Sequence, residues 1–171
     1  MSRIRRRPRS RGQALAEFAL TLPIFLILVF GMLDVGRAVY TYNTLTNAAR
    51  EGARFAIVNQ DETSIADRTR QIAVGVGVDM TDPNLVAFYK KGPAEDVETN
   101  AACDGSTASP ITVGCVVVVK PRTTWQAITP LIGGLIGPIT MQARSELPIE
   151  FVCPDATNAA IATAASCPKQ L

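Results

Sequence analysis

The sequence contains no histidine. That absence removes the commonest general base, the Ser-His and Cys-His nucleophile arrangements, and the commonest metal ligand together. Charged residues are also sparse at 19%, below the usual quarter of a soluble chain. Acid is almost missing from the amino-terminal end, where Glu17 stands alone before Asp34. Cysteine is absent until Cys103. The net charge is only +2, yet residues 1–11 hold six arginines and no acid, which leaves 11 basic and 15 acidic side chains beyond them. A basic arm on a mildly acidic body excludes a uniformly basic nucleic-acid binder.

Motifs for catalysis are missing as well. Gly75-Val-Gly77 lacks the third glycine or lysine of a phosphate loop. Ser166-Cys-Pro-Lys169 matches Ser-x-x-Lys by chance, without a companion motif. Glu95, Asp96 and Glu98 read as a solvated loop with no acid/base pairing. No enzyme, cofactor, metal or small-molecule substrate is expected.

What is present begins with an apolar run. The length of 171 residues suits one domain, or one domain plus an attachment device. Phe18 to Leu33 carries no charge over 16 residues, roughly 24 Å as a helix and short of a ~30 Å hydrocarbon core. Extension back to Gln13 gives 21 residues and roughly 32 Å, which spans. The extension places Glu17 inside the apolar segment, at a cost of about 2.5–3.5 kcal/mol near a helix centre. Three readings compete: a secretory signal with a poor cleavage site at Asp34-Val-Gly-Arg-Ala38, a plain anchor with its arginines held inside, and a leader cut before the run.

Three segments in order carry a family resemblance. They are Arg11-Gly-Gln-Ala-Leu-Ala-Glu-Phe-Ala-Leu-Thr-Leu-Pro23, Gly31-Met-Leu-Asp-Val-Gly-Arg37 and Ala48-Ala-Arg-Glu-Gly-Ala-Arg54. The chain resembles the TadE-like pseudopilins, minor pilins of the tight-adherence (Tad) pilus, over residues 11–58; beyond Val58 the likeness is loose. The resemblance implies cleavage by a membrane prepilin peptidase after Gly12, with Gln13 as the new amino terminus. Glu17 is then the fifth mature residue, followed by Phe18 where tyrosine is more usual. It also supplies Glu17 with a partner, the α-amine of Gln13 created by cleavage, on a neighbouring subunit or its own. Pairing the two charges at one membrane depth offsets much of the burial cost.

Beyond Asp34 the pattern becomes one-sided. Ala38, Leu45, Ala48, Ala49, Gly52, Ala53 and Ala56 recur at three- and four-residue spacings, with Tyr42 placed on the same face. One helix from Gln13 to Val58 is predicted. Its small-residue stripe from Leu45 to Ala56 is expected to pack on the chain's own domain, and the part upstream of Tyr40 against neighbouring helices. Arg50 and Arg54 read as a solvated face.

The remainder reads as an exported α+β domain. A second helix is predicted over Ile65–Val74, capped by Asp61 or Thr63, with Gly75 or Gly77 as its stop. Strands are predicted over Leu85–Lys90, Ile111–Lys120 and Ile139–Ile149. Residues 127–139 form a broken apolar run too short to span, expected as a short helix and turn over the sheet with an exposed patch. Trp125 before it is expected in the core. The organisation is thus a leader (1–12), a transmembrane segment (13–33), an extracytoplasmic helix (34–58) and an exported domain (59–171), together a pilin-like α+β fold. Four cysteines on the outer side suit disulfides. Of three connectivities, Cys103–Cys115 with Cys153–Cys167 closes the shortest loops; zinc is the alternative, against which the spacings lack close pairs.

Two function classes follow. The first is a non-enzymatic minor pseudopilin in the bacterial cytoplasmic membrane, amino terminus inside, whose partners are the lipid bilayer, prepilin peptidase, other Tad pilins and pseudopilins, and the Tad assembly platform. The second is an uncleaved, single-pass anchored binding domain.

Overall fold

The computed structural model describes residues 11–93, 95–103 and 110–152. Helix α1 (Arg11–Ala56) runs for 46 residues, roughly 69 Å. Pro23 lies inside it without ending it. Its two halves live in different surroundings. Every residue from Gly12 to Phe30 is exposed, whereas Leu45, Ala48, Ala49, Gly52, Ala53 and Ala56 are buried. The expected stripe therefore packs on the chain's own domain. Tyr42 is the exception: it is 54% exposed and lies off that seam.

Helix α1 begins two residues before the expected start and ends two before the expected stop. The stop is built by Gln60, whose buried side-chain amide donates to the carbonyls of Ala56 (3.1 Å) and Phe151 (2.8 Å). Such a donor satisfies a carbonyl that the helix end leaves open. Asp61 then caps helix α2 (Glu62–Ile72), accepting from the Ser64 amide at 2.9 Å. Ile65 and Thr69 face inward from α2.

Strands β1 (Val86–Lys90), β2 (Cys115–Val119) and β5 (Ser145–Pro148) form an antiparallel sheet in the order β1-β2-β5. Phe88 pairs with Val117, and Val117 with Leu147. The central strand is buried at all five positions. Cys115, Val117 and Val119 join Ala53, Ala56 and Ile65 in the main core. Val116 and Val118 point the other way, on the face of Lys120. There the 3-10 turn Val97–Thr99 crosses, held by Lys120 Nζ to Glu98 Oε2 at 2.6 Å.

A second, two-stranded ribbon pairs β3 (Arg122–Trp125) with β4 (Ile139–Gln142). Helix α3 (Pro130–Ile136) joins them at the ribbon's end. Trp125 is buried, as expected. Three expectations need correction here. Residues 139–149 form two strands in separate sheets, because Ala143 turns into a small core with Leu45 and Ala49 and donates its amide to the Pro121 carbonyl at 3.1 Å. The strand expected from Ile111 starts only at Cys115, after Gly114 takes a φ of 104°, a conformation costly for residues with a Cβ. Finally, α3 lies against α1 and not over a sheet: a Cβ on Gly31 would stand 3.5 Å from Ile132 Cδ1.

Cys103 and Cys115 are joined by a disulfide, so neither sulfur is offered to zinc. Cys153 and Cys167 lie outside the described residues, as does the arm before Arg11.

Candidate functional site

The residues singled out for processing and assembly all lie on the first two turns of α1. Gly12, Gln13, Glu17 and Phe18 are exposed, and nothing lies within 4 Å of where a Gly12 Cβ would stand. Gln13 and Glu17 are four residues apart and share a helix face. The domain's described packing on α1 includes contacts at Gly31 and Asp34, well above these positions. Among the described residues, α1 is the one helix long and apolar enough to cross a membrane, and only 6% of its most apolar window is buried by the rest of the chain. An exposed surface of Leu, Ile, Phe and Val of this length suits a membrane anchor or a signal sequence.

Where the apolar run ends, the chain is clamped to α1. Asp34 is 3% exposed. Its carboxylate accepts from the amides of Ile128 (2.9 Å) and Thr129 (3.0 Å) and from the Thr129 hydroxyl (2.6 Å). Thr129 is the N-cap of α3 but makes no capping bond with its own side chain. Asp34 instead holds the backbone amide and hydroxyl of this N-cap residue from another element. The Thr129 hydroxyl, then the Ile128 amide, hold the Asp34 carboxyl below the usual aspartate range, with Arg37 at 3.5 Å adding to the effect. Beside this clamp lies a cleft of about 310 Å³, walled by Phe30, Leu33 and Arg37 on one side and Ile128 and Pro130 on the other.

Sequence reasoning missed this clamp. Asp34 was visible only as the charge that closes an apolar run, and Thr129-Pro130 only as part of the broken apolar run 127–139. Nothing local links positions 34 and 129. The acidic loop differs similarly from expectation: Asp96 and Glu98 are tied to Arg144 at 2.8 and 3.4 Å, and Glu98 to Lys120. Arg144 also reaches Glu146 at 3.3 Å. Arg122 bridges Asp79 and Asp82, each at 3.0 Å. These pairs pin the connecting segments onto the sheets; they form no acid/base constellation. Arg50 and Arg54 are exposed, while Glu51 pairs with Arg68 of α2 at 3.0 Å.

Comparison with known proteins adds to this geometry. Residues 12–54 match the TadE-like protein family. The TadE-like segment thus starts at Gly12, takes in all the bare part of α1 and ends two residues before that helix stops. The match likens the amino-terminal quarter of the chain to TadE-like proteins. A long apolar helix carrying small antiparallel sheets on its upper half is the α+β pilin-like arrangement. No curated protein and no solved structure matches the chain.

Proposed function

We propose that this TadE-like chain is a minor pseudopilin that enters a Tad pilus through its amino-terminal helix. In this reading residues 13–33 cross the cytoplasmic membrane, the arginine arm stays inside and the domain from residue 59 is exported, with 34–58 as the stem between them. The observation that carries it is the bare lower half of α1, exposed from Gly12 to Phe30 within the TadE-like segment. Lipid covers this surface before assembly, and neighbouring pilin helices cover it afterwards. Prepilin peptidase cuts between Gly12 and Gln13, in the first helical turn, where unwinding breaks few intrahelical bonds. The new α-amine of Gln13 then neutralises Glu17 within the apolar layer. Other Tad pilins and the assembly platform are the partners.

Amino-terminal mapping by mass spectrometry, on protein extracted from membranes with and without active prepilin peptidase, tests the reading. A start at Gln13 that depends on the peptidase is expected. An intact arm in both samples would leave an uncleaved, anchored binding domain. A start near Ala38 would reduce the apolar run to a secretion signal.

A further inference from the structure

The ribbon of β3 and β4 carries α3 down to the level of Gly31 and Asp34, the outer end of the uncharged part of α1. We infer that this α3 hairpin is a second membrane contact, an apolar foot that lies in the outer leaflet beside α1. The inference rests on the transmembrane reading of α1 given above.

Three observations point to lipid as the occupant. The first is depth. Ile132 packs at Gly31, and Ile128 and Thr129 bind Asp34, so the hairpin is fixed alongside the last turns of the apolar run. A surface at that height meets the bilayer boundary wherever α1 spans. The second is exposure: Ile128 is 68%, Leu135 87% and Ile136 56% exposed, on a seven-residue helix and its approach. The third is the order of polarity along the hairpin. Residues 123–143 contain no charge over 21 positions and are bracketed by Arg122 and Arg144. Arg122 pairs with Gln142 at the far end, Thr123 with Met141 and Thr124 with Thr140 in the middle, and the buried Trp125 with the exposed Ile139 nearest the tip. Charge at the base of the ribbon therefore gives way to uncharged residues along it and to exposed apolar side chains at the tip. The same sequence of groups occurs across a membrane interface, where charged side chains stay at the aqueous side. A neighbouring protein surface would impose no such gradient.

The hairpin does not need to span. Its 13 central residues, 127–139, are too few for a crossing, but an interfacial segment buries its apolar side only about 5–10 Å into the boundary. Gly137, at a φ of 72°, reverses the chain just after α3 and lets β4 return to the ribbon. Two contacts at one depth would set the tilt of the exported domain over the membrane, which a single helix leaves unspecified.

The test uses the full chain in vesicles of phosphatidylethanolamine and phosphatidylglycerol. An environment-sensitive fluorescent amino acid replaces Leu135 in one sample, Ile24 in a second and Arg70 of α2 in a third. Phospholipids carrying a nitroxide at the headgroup or midway along the acyl chain serve as quenchers. Position 135 is expected to show blue-shifted emission quenched most by the shallow nitroxide, position 24 to be quenched most by the deep one, and position 70 by neither. Aqueous emission at 135 with quenching retained at 24 overturns the inference and leaves α1 in the membrane. Loss of quenching at both positions overturns the transmembrane reading, and the inference with it. Emission at 135 that shifts only as protein density in the vesicle rises identifies a second copy as the occupant and also overturns it.

Discussion

Asp34 on α1 and Thr129 at the head of α3 are 95 positions apart in the chain, yet the Asp34 carboxylate accepts the Thr129 hydroxyl at 2.6 Å and its amide at 3.0 Å. The pair ties the N-cap residue of α3 to α1. Its removal should release the hairpin without unfolding the domain, because the main core lies higher, around Ala53, Ile65 and Val117. In an Asp34→Ala variant, hydrogen exchange of the Ile128 and Thr129 amides is expected to accelerate strongly, with the β2 amides unchanged. Equal acceleration in β2 would mean that the clamp supports the whole fold.

The same clamp predicts a pH response. Hydrogen bonds to the ionised form hold the Asp34 carboxyl below its ordinary value; at Asp79 the Thr81 hydroxyl does so first, with Arg122 contributing. A carboxyl depressed in the folded state stabilises above its unfolded value of about 3.9, and that contribution is lost as pH falls through the lower folded value. Exchange at Ile128 and Thr129 should therefore be flat from neutral pH down to about 4, after correction for intrinsic rates, and rise below it. A transition centred near neutrality would rule out the carboxylate as its origin.

The Cys103–Cys115 bond closes a loop with a sequence separation of 12. In the chain-entropy model a loop of this size is worth about 3 kcal/mol. The double variant Cys103→Ala, Cys115→Ala should lose about that much in denaturant unfolding of the detergent-solubilised chain, followed through its single tryptophan, Trp125. An unchanged midpoint would show that the bond constrains little in the unfolded chain.

Close packing between α1 and the domain gives a paired prediction. Leu45 is fully buried with Ala49, Val76 and Ala143, so Leu45→Ala should cost about 2–5 kcal/mol. At Gly52 the fault is of the opposite kind: a Cβ would run into the Thr69 hydroxyl and press on Val119. Gly52→Val should cost at least about 1–3 kcal/mol through overpacking. Both are read by the same unfolding assay, and a neutral Gly52→Val would contradict the close approach of α1 and α2.

Glu17 lies far from any of these contacts, exposed on the bare part of α1. Glu17→Ala should leave the unfolding curve of the domain in place while lowering the amount of processed protein recovered in sheared pili. Equal recovery of wild type and variant would remove the carboxylate from assembly.

Much of this architecture was legible in the residue order because it follows from local periodicity. The apolar run from Phe18, the small-residue stripe from Leu45 to Ala56, the Asp61 cap and the valine run of β2 each declare themselves within a few turns or residues. Charge asymmetry and the position of Glu17 after Gly12 likewise need no partner to be seen. Tertiary structure decided where the remainder goes. Residues 139–149 alternate like one strand, but Ala143 must enter the core at Leu45, so the run divides between two sheets. Residues 127–139 could cover a sheet by their composition. The ribbon and Asp34 instead hold them against α1. The reason is physical: periodicity specifies which side of an element is buried, while the partner that buries it is chosen by contacts between residues far apart in the chain.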